Sequence, residues 1–181
     1  MRRRNTAFCV SVLSIMLVTN SPTSAQSEAG NDSPNLVWVT LAGGGGGGHR
    51  FWGIGGGATA SYYCESGLFS VRLLGIGQIT VEPSQPQTET SDVIELGGMY
   101  GLSYKRPLIF LSASSGLGAV WVMQRSPSGR KRVTTVGIPL DFEAFFTPFR
   151  VLGIGVAVSG NINGKQSYAG VFFCLQLGKV K

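Results

Sequence analysis

The sequence predicts an all-β protein: an eight-stranded antiparallel up-and-down β-barrel of the transmembrane type, placed behind an N-terminal signal peptide. Three observations lead there. Eight segments alternate bulky apolar residues with small or polar ones at a period of two. Most of them run ten to fourteen residues, beyond the roughly five or six of soluble strands and enough for a tilted strand to cross a bilayer, which takes about 9–11. Glycine, 27 of 181 residues, is abundant while charged residues make up only 13%, and most of those glycines fall inside the alternating segments.

This composition excludes several classes. Disordered chains are charged and poor in aromatics, whereas this one is 43% hydrophobic and 10% aromatic. A collagen repeat is absent, and three cysteines are too few for a disulfide framework.

The first element is a targeting signal over residues 1–25. Arg2, Arg3 and Arg4 form a positive start, Ala7 to Val18 an apolar core, and Thr23-Ser24-Ala25 the small residues of a cleavage site. Its removal changes the electrostatics. The full chain has 15 basic and 9 acidic residues, a net of +6; without the three leading arginines the balance is 12 against 9, or +3. No nucleic-acid-binding function follows from so small a surplus. Residues 26–35 read as a polar leader, and 36–181 as the barrel domain.

The strands are expected at Leu36–Gly45, Phe51–Tyr63, Leu68–Ile79, Asp92–Tyr104, Leu108–Val122, Val133–Phe146, Arg150–Gly160 and Ser167–Lys179. Tight connections, with Gly or Pro where turns want them, join the second to the third, the fourth to the fifth and the sixth to the seventh. Longer ones are expected at Thr80–Ser91 and Met123–Arg132, with modest ones at Gly46–Arg50 and Asn161–Gln166. Short turns at one end and longer loops at the other is the outer-membrane barrel arrangement.

Face assignment alone leaves two readings open. In the sixth segment Val136, Ile138, Leu140, Phe142, Ala144 and Phe146 oppose Thr135, Asp141 and Glu143; in the eighth Val171, Phe173, Leu175 and Leu177 oppose Gln176. A soluble barrel turns its apolar face inward and a membrane barrel turns it to lipid. Glycine favours the second reading. With strand phase set by bulky apolar residues, Gly53, Gly55, Gly57, Gly97, Gly101, Gly116, Gly118, Gly137, Gly153, Gly155, Gly170 and Gly178 fall opposite the bulky face. Gly56, Gly75, Gly77 and Gly98 fall on it. An eight-stranded barrel has an interior only wide enough for side chains to fill, so small residues there make room for larger polar ones.

The C-terminal third carries a resemblance. Thr135-Val136-Gly137-Ile138-Pro139-Leu140, Phe145-Phe146-Thr147-Pro148, Leu152-Gly153-Ile154-Gly155, Gln166-Ser167-Tyr168-Ala169-Gly170 and Leu175-Gln176-Leu177-Gly178-Lys179 resemble the small outer-membrane β-barrel proteins of diderm bacteria. The resemblance covers the last fifty or so residues and continues upstream only as a strand pattern. It implies both termini in the periplasm, four external loops and insertion by the barrel-assembly machinery. Many such barrels end on an aromatic residue; this chain ends Gly178-Lys179-Val180-Lys181, so recognition would rest on Phe172 and Phe173.

Arg72, Glu95, Asp141 and Glu143 form the main candidate site, a salt-bridge network in the lumen, because an isolated buried ion is very costly. Arg125, Arg130, Lys131 and Arg132 form a basic cluster in an expected external loop, suited to anionic lipid head groups. Trp52, Trp121, Tyr62, Tyr63, Tyr100 and Tyr104 are placed for an aromatic girdle. No catalytic set, cofactor or metal site is indicated. Gly43–Gly48 lacks the Lys-Ser/Thr of a phosphate loop and reads as a flexible loop or strand end, while His49 lacks a serine partner for hydrolysis. Cys64 and Cys174 show no ligand-type spacing. The function read here is that of a monomeric outer-membrane barrel with a plugged polar lumen, a structural or surface-interaction role without catalysis, and outer-membrane lipids as partners. A soluble periplasmic lipid-binding barrel and a narrow outer-membrane pore are the alternatives.

Overall fold

The computed structural model describes residues 36–49, 51–78, 90–126 and 129–179; the expected signal peptide and polar leader lie outside them. Eight strands follow in chain order: β1 (Leu36–Gly48), β2 (Phe51–Cys64), β3 (Gly67–Gln78), β4 (Thr90–Lys105), β5 (Ile109–Ser126), β6 (Gly129–Phe146), β7 (Leu152–Asn163) and β8 (Tyr168–Gly178). Each pairs antiparallel with its sequence neighbour, and β8 pairs with β1, so the sheet closes into a barrel.

Closure comes with a defined stagger. From Leu36 the register passes through Tyr63, Leu68, Gly101, Ser114, Asp141, Ser159 and Gly170 and returns to β1 at Gly46, ten residues further on. Such a shear tilts the strands, typically by about 35–45°. At that tilt even β8, with 11 residues, is long enough to cross a hydrocarbon layer.

Burial alternates along every strand, and the bulky apolar face points outward. Val37, Ile54, Leu73, Leu102, Phe142, Val158 and Phe173 are all exposed. No outward position of β1, β2, β3, β7 or β8 carries a charged residue. All twelve glycines expected opposite the bulky face sit at inward positions, and the four expected on it sit outward. Glycine therefore makes space in the lumen.

Three details depart from the sequence reading. First, Gly46–Gly48 belong to β1, paired with Gly53, Trp52 and Phe51 on one side and with Gly170, Ala169 and Tyr168 on the other; a ladder on both edges holds a glycine run that no side-chain packing could. Second, the expected loop Met123–Arg132 is mostly strand. β5 and β6 extend to Ser126 and Gly129, joined across residues 127–128. This hairpin runs past the last β6–β7 pair, Gly137–Asn163, where no closed lumen separates an inner from an outer face, so its sequence shows no alternation. Connection lengths consequently sort less cleanly by end than expected, with only 79–89 long. Third, the lumen is apolar as well as small and polar. Leu36, Trp38, Leu68, Phe110 and Phe145 fill the turn end, and Phe51, Ile76, Val93, Val120 and Val122 the opposite end. Trp38 meets Phe110 edge-on at 5.2 Å between ring centroids.

Pro139 is buried in mid-β6 with no N–H to donate, and the β5–β6 ladder is interrupted there, between Ser115–Leu140 and Gly118–Gly137. Gly67 and Gly129, at φ 133° and 130°, supply left-handed backbone beside two turns.

A paired substitution tests the inward glycines. A Cβ at inward Gly116 would press on the Gly98 carbonyl and Met99 Cα, whereas at outward Gly98 it meets nothing within 4 Å. Gly116→Ala should destabilise the folded barrel by about 1–3 kcal/mol, the usual range for overpacking, and Gly98→Ala should be near neutral. Denaturant midpoints of both variants in the same detergent provide the comparison.

Candidate functional site

Arg72 is the seat of the polar layer that lies between the two apolar ends. It projects inward from mid-β3 and is 2% exposed. Its guanidinium uses its whole fork. Nε and Nη2 donate to Oε1 of Glu95 at 3.1 and 2.6 Å, and Nη1 faces Asp141 Oδ1 at 3.3 Å. Nη1 and Nη2 also donate to the backbone carbonyls of Leu140 and Gly160, both at 3.2 Å. One side chain on β3 thus reaches β4, β6 and β7.

The carboxylates are satisfied in turn. Glu95 Oε2 accepts from Asn161 Nδ2 at 2.7 Å and from the Tyr168 hydroxyl. Asp141 accepts from the Ser159 hydroxyl. Asn161 is itself held by Asn163, whose Nδ2 donates to Asn161 Oδ1 at 3.0 Å. Full pairing is what makes a buried charge tolerable. Glu143 stands apart from the arginine. It faces inward two residues along from Asp141 and accepts from the Ser112 hydroxyl, which donates to Oε2 at 2.8 Å. Arg72, Glu95 and Asp141 are therefore brought into contact, and Glu143 joins the layer through β5.

Asn161, Tyr168, Ser159 and Ser112 escaped the sequence reading. Ser159 and Asn161 occupy consecutive inward positions of β7, but the strand was expected to stop at Gly160, which left Asn161 in a loop. The available signal was parity: carrying the alternation of Gly153, Gly155 and Ala157 two steps further puts both on the lumen face. Space for the layer comes from glycine. A Cβ on Gly97 would lie 3.3 Å from Glu95 Oε1 and 3.2 Å from Pro139 Cγ. Beside the layer a small cavity of about 10 Å³ is lined by Thr40, Arg72, Asp141, Glu143, Ser159 and Cys174, among others. Among the described residues no group of His, Cys, Asp and Glu has the arrangement to hold a metal ion.

No family model matches the chain, and no curated protein matches it in sequence. Solved structures do match. Neisserial surface protein A superposes with a TM-score of 0.63 at 9% identity, over 79% of this chain and 96% of that one. The N-terminal β-barrel domain of Pseudomonas aeruginosa OprF gives 0.54 at 10% identity, over 80% and 99%. Ail, the attachment invasion locus protein of Yersinia pestis, solved with the heparin analogue sucrose octasulfate, gives 0.54 at 10%, over 80% and 96%. The fold is that of the small eight-stranded outer-membrane β-barrels.

In such a barrel the ends of the wall meet the head groups. Trp52, Tyr62, Tyr100 and Tyr104 are exposed on the outer face near strand ends, and Trp121 is partly exposed. Tyr63 departs from the expected girdle. Its register turns it to the lumen side, where the Lys105 ammonium sits 3.9 Å from its ring centroid. The basic cluster lies on the projecting β5–β6 hairpin. The register sets Arg125 opposite Arg130, Gln124 opposite Lys131 and Met123 opposite Arg132. Lys131 and Arg132 are exposed, and the Arg132 guanidinium lies 5.6 Å from the Trp121 ring. His49 is exposed in the β1–β2 turn. Cys64 and Cys174 are free thiols.

The network predicts a graded mutational series. Arg72→Ala strands two carboxylates and should cost about 3–5 kcal/mol, as removing one partner of a buried pair does. Glu143→Gln, which keeps a hydrogen-bond acceptor for Ser112 and touches no arginine, should cost less than about 1.5 kcal/mol. Urea unfolding in lipid vesicles, followed by tryptophan emission, measures both; equal losses would contradict the central place given to Arg72.

Proposed function

We propose that this chain is an outer-membrane protein, exported through a cleaved signal peptide, whose barrel is a plugged wall and whose projecting hairpin meets anionic groups outside it. The observation that carries this reading is the Arg72 fork. It crosses the lumen from β3 to β4, β6 and β7, with apolar layers above and below. Charges in a conducting lumen face water and moving ions; here they face one another. The role is structural or surface-interacting, without catalysis.

The hairpin supplies the interaction. Arg125 and Arg130 are register partners, followed by Lys131 and Arg132. With Lys131 and Arg132 exposed on it, the hairpin presents positive charge that attracts anionic head groups. Phosphates of outer-membrane lipids are the anions nearest to hand. The matching barrel of Ail, solved with sucrose octasulfate, supports a polyanion as the kind of partner.

Cell fractionation, with boiled and unboiled mobility compared in detergent, tests the placement. Heat-modifiable protein in the outer-membrane fraction is expected, and a soluble periplasmic product overturns the reading. Reconstituted into planar bilayers, the protein should show no single-channel steps; discrete steps would identify an open pore instead. Barrels held in neutral nanodiscs should bind anionic vesicles, and glutamine at positions 125, 130, 131 and 132 should weaken this by about 1 kcal/mol per charge.

A further inference from the structure

We propose that the outer wall between β4 and β7 holds one anionic glycerophospholipid of the leaflet at the turn end, its acyl chain in a trough and its phosphate between Arg106 and Arg150. This rests on the membrane placement proposed above. The trough, about 520 Å³, is bounded by Leu102, Tyr104, Phe142 and Val156, with Ala113 and Ala144 among its lining. The register explains its shape. Leu102 pairs with Ala113 and Ala113 with Phe142; Tyr104 pairs with Leu111, Leu111 with Ala144 and Ala144 with Val156. Two alanines set diagonally among large side chains leave a channel at this point of the wall.

Charge complementarity identifies the occupant. Two turns close this stretch of wall, residues 106–108 between β4 and β5 and 147–151 between β6 and β7. They are joined, because the Thr147 amide donates to the Leu108 carbonyl at 2.9 Å. Each turn presents one exposed arginine, Arg106 and Arg150, and neither contains a carboxylate. Arg106 is tied to the trough itself: its Nε donates to the Tyr104 hydroxyl, and its guanidinium lies 5.3 Å from the Tyr104 ring centroid. Leu108, Phe149 and Val151, also exposed, seat these turns at the edge of the hydrocarbon. An apolar channel with one arginine bonded to its rim and a second exposed on the joined turn matches a lipid with a phosphate and a long chain. A second copy of this chain would offer the trough no anion from the same wall, since the described outward positions of β4 to β7 carry only Asp92, at the far end.

Native mass spectrometry of the full-length barrel in detergent, titrated with dioleoylphosphatidylglycerol or dioleoylphosphatidylcholine, tests the site. One retained phosphatidylglycerol is expected, in preference to phosphatidylcholine. Arg106→Gln and Arg150→Gln should each weaken its retention about fivefold. Ala144→Trp, which fills the trough from the lipid side, should reduce retention of both lipids. Heat-modifiable mobility of every variant keeps the barrel itself under observation. If the wild type is heat-modifiable but retains both lipids equally, or if the double glutamine variant retains phosphatidylglycerol like the wild type, the lipid site is overturned while the barrel stands. A wild type that lacks heat-modifiability overturns the membrane placement first. A dimer that Ala144→Trp abolishes would assign the trough to a second copy and overturn the lipid as occupant.

Discussion

Everything in this molecule follows from the closure of eight strands at a shear of ten. Closure gives each strand a hydrogen-bonded neighbour on both edges, so that nearly all of the wall's backbone is paired without water, as a bilayer demands, and it also sets the width of the interior. That width is too small for a column of ordinary side chains and too large to leave empty. The chain answers with unequal partners. Glycines at 97, 116, 118 and 137 withdraw, while Arg72, Glu95, Trp38 and Phe172 advance into the space, each of them 2% exposed or less. The lumen is a packed core in which the sizes of neighbours are negatively matched.

The polar layer is one result of that fit. Only a side chain as long as arginine, anchored at the wall, spans such a lumen with both carboxylate and carbonyl acceptors in reach. Its planar fork distributes one charge over three strands. The partners Ser159, Asn161 and Tyr168 complete hydrogen bonding that carboxylates would otherwise lack. Removing water from so many polar groups is favourable only when all are engaged together, which is why the layer sits between two apolar caps rather than at a mouth.

Much of this was legible in the sequence. Period-two alternation located all eight strands, and glycine parity assigned the two faces, because both follow from the local geometry of a pleated strand. Arg72, Glu95, Asp141 and Glu143 stood out as charges on a face otherwise small. What the sequence concealed is non-local. That Arg72 meets Asp141 but not Glu143 depends on a stagger accumulated over several strand pairs, each contributing a shift that no single segment encodes. The Trp38–Phe110 contact is hidden for the same reason, since both residues look like ordinary members of mixed segments. The β5–β6 extension was missed because alternation reports burial, and a hairpin that runs beyond the closed lumen has little to report.

The glycine run at the end of β1 makes the closing seam unequal along its length. The seam between β1 and β8 pairs Trp38 with Gly178 and Gly48 with Tyr168, the most distant pairings in the chain, so its loop-closure entropy is the largest to overcome. At one end of the seam Trp38, Val39 and Leu41 bring side chains that favour an extended strand. At the other, Gly43 to Gly48 bring none and lose the most freedom on being fixed. The two ends of the seam are therefore held differently: by side chains and ladder together beside Trp38, and by the backbone ladder alone at Gly48.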